Sequence, residues 1–149
     1  MRRRDQISAL GRVVDLRNAL ELSAEMRSLE ATAKQHERAR FCEQLDEDLS
    51  ATRRGWSTVL ESPPMNLPLA SAWSVAVLSG ADHLAAANER LNEARRQSEA
   101  ANRRLQVARA QAHVAVKAHL GAVRKREKER AEAALNDIAD QFAYRGSSL

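Results

Sequence analysis

The sequence predicts an all-α protein: two long helices in an antiparallel coiled-coil hairpin, elongated in outline. Three observations predict it. Alanine supplies 28 of 149 residues and aromatics only 3%, so the β-branched and aromatic residues that fill pleated sheets are scarce. Apolar residues recur at alternating steps of three and four, which places them on one stripe of a helix. The 3 prolines all fall between positions 63 and 68, so a single break separates two proline-free arms. With alanine set aside, large apolar residues make up about a quarter of the chain, less than a compact sphere of this size requires. Sheet folds and large catalytic clefts are thereby disfavoured.

The first arm is expected over about residues 5–61. It carries three apolar runs: Leu10, Val13, Leu16 and Leu20; then Leu22, Met26, Leu29, Ala33 and His36; then Leu45, Leu49, Thr52, Trp56 and Val59. The runs differ in phase, so they do not read as one uninterrupted heptad zipper. Each slip rotates the stripe, which a hairpin tolerates better than a long parallel dimer. Ser62-Pro63-Pro64 ends the arm, because proline lacks an amide hydrogen and pushes the preceding residue out of the helical region. A connector over 62–82 follows, with Pro68 and an apolar cluster of Leu69, Trp73, Val75, Val77 and Leu78 able to hold a short helix. Ser79-Gly80-Ala81-Asp82 supplies cap-type residues before the second arm.

That second arm is expected over about 83–143. Leu84, Ala87, Leu91, Ala94, Ser98, Ala101, Leu105, Ala108, Ala112 and Ala115 keep the 3/4 spacing. A seam this small lets two backbones approach closely and calls for bulkier residues opposite, such as Leu22, Met26, Leu45 and Leu49. The phase slips near Val116 and Gly121, and Ala131, Leu135, Ile138 and Phe142 finish the arm. Residues 144–149 form a frayed tail. The chain reads as a single hairpin, with no repeat of 20 to 50 residues.

Catalytic and cofactor chemistry finds no foothold. His36, His83, His113 and His119 do not stand one turn from another ligand in a zinc-binding arrangement. Cys42 reads as a small, half-buried apolar residue in a reducing compartment, with no base beside it. No phosphate-binding glycine loop and no nucleophile elbow is present. The expectation is a non-enzymatic protein without cofactor or metal, and without a stretch long enough to span a bilayer.

Charge is mild overall, +4, yet uneven. Between Leu84 and Arg126 there are ten Lys or Arg against three Glu, with Arg95, Arg96, Arg103 and Arg104 at the centre. The exposed face of a long helix is the favoured account of this basic arm, ahead of a surface for an acidic protein. A phosphate-tracking stripe for nucleic acid ranks last, because no aromatic in that window can stack on bases. Lys125 with Glu129 and Lys128 with Glu132 stand one turn apart and can pair along the helix. Trp56 and Trp73 both fall at the closed end of the hairpin, as plugs or as hot spots for a partner.

The segment Leu135 to Arg145, after a charged Lys/Arg/Glu tract, resembles the end of the FliJ/YscO (SctO) family of type III secretion and flagellar export stalk proteins. The matching positions are Asp140, Phe142, Ala143 and Arg145, with Gln141 where the family often has an acid. The connector is more proline-rich than in the flagellar members, which favours the injectisome branch. The resemblance implies a two-helix stalk similar to the shaft of rotary ATPases, cytoplasmic and peripheral to the inner-membrane secretion apparatus. Its terminal end, with Leu135, Ile138, Phe142 and Arg145, would meet the export ATPase hexamer. The closed end, with Trp56 and Trp73, would face the export gate protein, and secretion chaperones could dock on a helix face. The chain would work as a monomer within that larger complex, without nucleic acid. A generic coiled-coil scaffold and a nucleic-acid-associated helical protein remain the alternatives.

Overall fold

The computed structural model describes residues 3–146. Helix α1, Arg3–Glu61, and helix α2, Leu67–Gly146, pack against each other as a helical hairpin, with no strand among the described residues. Helix α1 ends where expected, at the Ser62-Pro63-Pro64 break, and the Ser62 hydroxyl donates to the Thr58 carbonyl 2.8 Å away.

The connector is far shorter than the sequence suggests. It spans only 62–66, and α2 begins at Leu67. The cap is Asn66 and not the Ser79–Asp82 stretch: Asn66 Oδ1 accepts from the Leu69 amide at 3.1 Å, and the Asn66 carbonyl accepts from the Ala70 amide at 2.9 Å. An Asx cap of this kind satisfies one of the orphan donors of the first turn. Pro68 falls within that turn, where its missing N–H costs nothing. Gly80 lies in mid-helix for a different reason. A Cβ there would stand 3.1 Å from Leu49 Cδ1, so the glycine makes room for a core leucine. At the other end, residues 144–146 belong to the last turn of α2, and 147–149 lie outside the described residues.

The chain divides into two compact units, one built from Met1–Ser23 with Leu105–Leu149, the other from Ala24–Arg104. In the second, the Ser28 hydroxyl bonds Asn102 Oδ1, Thr32 Oγ1 lies 3.3 Å from Ser98 Oγ, and the Trp73 ring covers Gly55. In the first, His119 packs on Gly11, Arg17 Nη1 donates to Gln111 Oε1 at 2.7 Å, and Arg109 Nε lies 3.6 Å from Glu21 Oε1. Within each unit, advance along α1 is matched by retreat along α2. The pairing is antiparallel.

Burial follows a seven-residue count on both helices. On α2, Ala70, Leu91, Ser98, Leu105 and Ala112 are buried in that register, with Ala87 and Ala94 buried between them. Half-buried Val77, Leu84 and His119 fill the intervening places, so no phase slip occurs near Val116 or Gly121. On α1, Ser28, Cys42 and Leu49 are buried, and Ile7, Val14, Glu21, Gln35 and Trp56 continue the same count half-buried. A strict seven-residue repeat is the signature of a left-handed coiled coil.

The middle of α1 therefore corrects the sequence reading. Leu22, Met26 and Leu29 are exposed, Leu29 by 67%, and Val13, Leu16 and Leu20 are exposed as well. Opposite the alanine-lined face of α2 the backbones come close, and the space that remains suits serine, threonine and cysteine better than leucine. Burying Ser28 and Ser98 is compensated because each hydroxyl has a partner across the seam, and a buried polar group costs little once it is hydrogen-bonded. Polar layers of this type fix register at some cost in stability. Leu45 does meet the alanine groove as expected, packing against the core cluster of Cys42, Ala87 and Leu91, while Leu49 is buried over Gly80.

Two glycines of α1 give a paired prediction. At Gly11 a Cβ would meet only His119, at an ordinary 3.5 Å, so Gly11→Ala is expected to stabilise by roughly the helix-propensity difference, about 1 kcal/mol. At Gly55 a Cβ would stand 2.5–3.0 Å from three Trp73 ring carbons. Gly55→Ala must displace the indole, and the overpacking cost of about 1–3 kcal/mol offsets or exceeds the propensity gain. Thermal melts and Trp73 emission in a Trp56→Phe background check both. Gly11→Ala should melt higher with unchanged emission, and Gly55→Ala should not melt higher and should shift emission to the red.

Candidate functional site

The most distinctive surface is the last part of α2. Gln6 and Ile7 lie beside Ala122, Arg126 and Glu129. From Arg130 to Gly146 every residue is exposed. The seven-residue seam count lands on Arg126, Ala133 and Asp140 here, and the apolar residues have moved off it. Leu135, Ile138 and Phe142 instead share a stripe at steps of three and four, exposed by 65%, 49% and 71%. An isolated helix of this length is marginal in water unless an apolar face is covered. Arg145, in the last turn, complements the helix C-terminal dipole. Lys128 and Glu132 pair at 3.8 Å near the base of the segment. The four residues chosen at the terminal end from sequence, Leu135, Ile138, Phe142 and Arg145, thus lie on one exposed helical segment.

Trp56 and Trp73, chosen at the other end, lie in the unit Ala24–Arg104 and are both half-buried. The six-membered edge of the Trp73 indole rests on Gly55, so much of its surface is spent closing the helix pair. Each retains a partly exposed edge.

The basic arm is partly self-compensated. Arg96 donates to Glu93 Oε2 from Nη2 at 2.7 Å and from Nε at 3.0 Å. These hydrogen bonds, with the guanidinium charge and a further bond from Gln97, hold the Glu93 carboxyl below the usual glutamate range. Arg103 lies 4.0 Å from Glu99, and Arg109 pairs across the seam with Glu21. Arg95 and Arg104 are exposed without an ion pair among the described residues. Glu93 and Glu99 are among the three acids already set against the ten Lys and Arg of this stretch, so only Glu21 of α1 lowers its excess of seven positive charges, by one.

Cys42 is buried in the core cluster with Ala87 and Leu91, where a thiol behaves as a small apolar group. His119 is half-buried with Nδ1 unpartnered against Gly11, and the other three histidines are exposed. No group of three or more metal-ligating side chains gathers among the described residues. No helix among them is long and apolar enough to cross a membrane.

Sequence reasoning missed one surface. Leu10, Val13, Val114 and Ala118 line an open apolar groove within the unit of Met1–Ser23 and Leu105–Leu149. Its signal was present in Val114 and Ala118, one turn apart and both exposed outside the seam, but the alanine run along the seam masks it. Comparison of the chain with protein-family models, curated proteins and solved structures finds no match.

Proposed function

We propose that the chain is a non-enzymatic stalk and adaptor of a type III secretion export ATPase, acting on the cytoplasmic side of the membrane. The observation that carries this reading is the terminal segment of α2, with Leu135, Ile138 and Phe142 exposed along one face. A helix with an exposed apolar stripe can lay that face in a partner's groove, the helix-in-groove mode of recognition. Support also comes from the hairpin itself, the architecture that the family resemblance implies. In this reading the ATPase hexamer receives the terminal segment with Arg145, and the exposed edges of Trp56 and Trp73 face the export gate. Chaperones dock on a helix face between operations.

The test is reconstitution with the cognate ATPase. Purified chain is expected to raise ATP hydrolysis or hexamer assembly several-fold in a saturable manner. No effect at saturation contradicts the reading. A generic scaffold would leave hydrolysis unchanged. A nucleic-acid-binding protein would instead show tight duplex binding that falls steeply with salt.

A further inference from the structure

Burial is shared unequally between the two units. Among the described residues, none of α1 before Ser28 is buried, and none of α2 after Ala112. The unit Ala24–Arg104 buries Cys42, Leu49, Ala87 and Leu91 together with the hydrogen-bonded Ser28 and Ser98. The terminal unit, Met1–Ser23 with Leu105–Leu149, buries only Leu105 and Ala112 among its described residues.

What joins the helices in that terminal unit is largely polar and wet. Arg17 reaches Gln111 through an exposed hydrogen bond, and the Arg109–Glu21 pair is 53% and 33% exposed. Ion pairs in water contribute little. The imidazole of His119 takes a seam position, yet its Nδ1 is buried without a hydrogen-bond partner beside Gly11. A buried polar atom left unsatisfied lowers stability, and Gly11 lays no side chain against the ring.

We propose that the terminal unit opens on its own: α1 up to about Ser23 separates from α2 as one piece while Ala24–Arg104 stays closed. Few buried apolar groups and solvent-exposed cross-helix bonds mark elements that open well below the cost of global unfolding. The opening stops at the polar layer of Ser28 with Asn102 and Thr32 with Ser98, where the cross-seam hydrogen bonds are part-buried. A freed stretch of about 20 residues is marginal as a lone helix, so release and unwinding go together. Leu105 and Ala112 lose their cover, on the same unit that carries Leu135, Ile138 and Phe142. That the ATPase meets the unit that opens rests on the function proposed above, whereas the opening itself does not.

Native-state hydrogen exchange of the full chain tests it. Amides of residues 7–21 are expected to share one opening equilibrium, with protection about a hundredfold or more below that of residues 42–56. Leu91→Ala should lower protection at 42–56 and leave 7–21 where it was, because the smaller opening does not disturb Leu91. His119→Leu removes the orphan nitrogen and adds apolar surface to the seam, so it should raise protection at 7–21 roughly tenfold. Protection that climbs steadily, residue by residue, from Arg4 inward is ordinary end fraying and overturns the proposal. So does one common value for both stretches that falls together in Leu91→Ala. Exchange is read on the free chain, so failure to stimulate the ATPase would sink the function and leave this inference standing.

Discussion

Replacing Leu91 by alanine lowers the stability of the hairpin by about 2–3 kcal/mol, while replacing Leu29 by alanine leaves it within about 0.5 kcal/mol. Both are leucines in mid-helix, and leucine and alanine differ little in helix propensity, so the contrast isolates packing. Leu91 is 6% exposed in the cluster with Cys42 and Ala87, whereas Leu29 is 67% exposed. Removing Leu91 strips transfer free energy and leaves a cavity that a seam of alanines cannot collapse to fill. The estimate sits at the low end of the usual range because a two-helix seam has solvent on both flanks. Urea unfolding followed by circular dichroism reads the difference. Equal losses at both positions, or a larger one at Leu29, would return the seam to the outer stripe.

Changing Leu135, Ile138 and Phe142 together to serine should abolish stimulation of the ATPase and leave the midpoint of hairpin unfolding almost unmoved. All three are exposed. Surface substitutions of this kind rarely change stability by more than about 0.5 kcal/mol, whereas apolar anchors of a docking helix each contribute on the order of 1–2 kcal/mol or more to binding. Three together amount to a loss of binding by several orders of magnitude. The experiment must be read at matched helicity, because serine lowers the intrinsic helix propensity of the segment. A variant that still stimulates hydrolysis fully would place the contact elsewhere on the molecule.

The parts of the fold that the sequence announced are those where size and polarity agree. The alanine-rich run from Leu84 to Ala115 lies along the seam of α2 because alanine both favours helix and suits close approach. Leu45, Leu49, Thr52, Trp56 and Val59 lie along that of α1. The proline pair at 63 and 64 marked the turn correctly. The misreadings have physical causes. Between residues 22 and 36 the large apolar side chains point away from the seam, and Ser28 and Thr32 take their place against Asn102 and Ser98. A rule that seeks the greasiest stripe cannot find a seam whose narrowness selects for small polar groups. Pro68 and Gly80 looked like breakers, but one sits in a first turn behind the Asn66 cap and the other admits Leu49. The terminal stripe was legible because nothing in its spacing competes with Leu135, Ile138 and Phe142. The groove at Val114 was not, because its other wall, Leu10 and Val13, lies about a hundred residues away in sequence.

The account stands on the antiparallel register, and a disulfide tests it directly. Thr32 Oγ1 and Ser98 Oγ lie 3.3 Å apart, within the reach of a disulfide between cysteines at those positions. In a Cys42→Ser background, Thr32→Cys combined with Ser98→Cys should oxidise within one molecule, giving a fast-migrating monomer on a denaturing, non-reducing gel. A control that moves the second cysteine half a helical turn, to position 96, should not close. Cross-links found only between chains, or none at all in a fully helical sample, would contradict the hairpin and the surfaces derived from it.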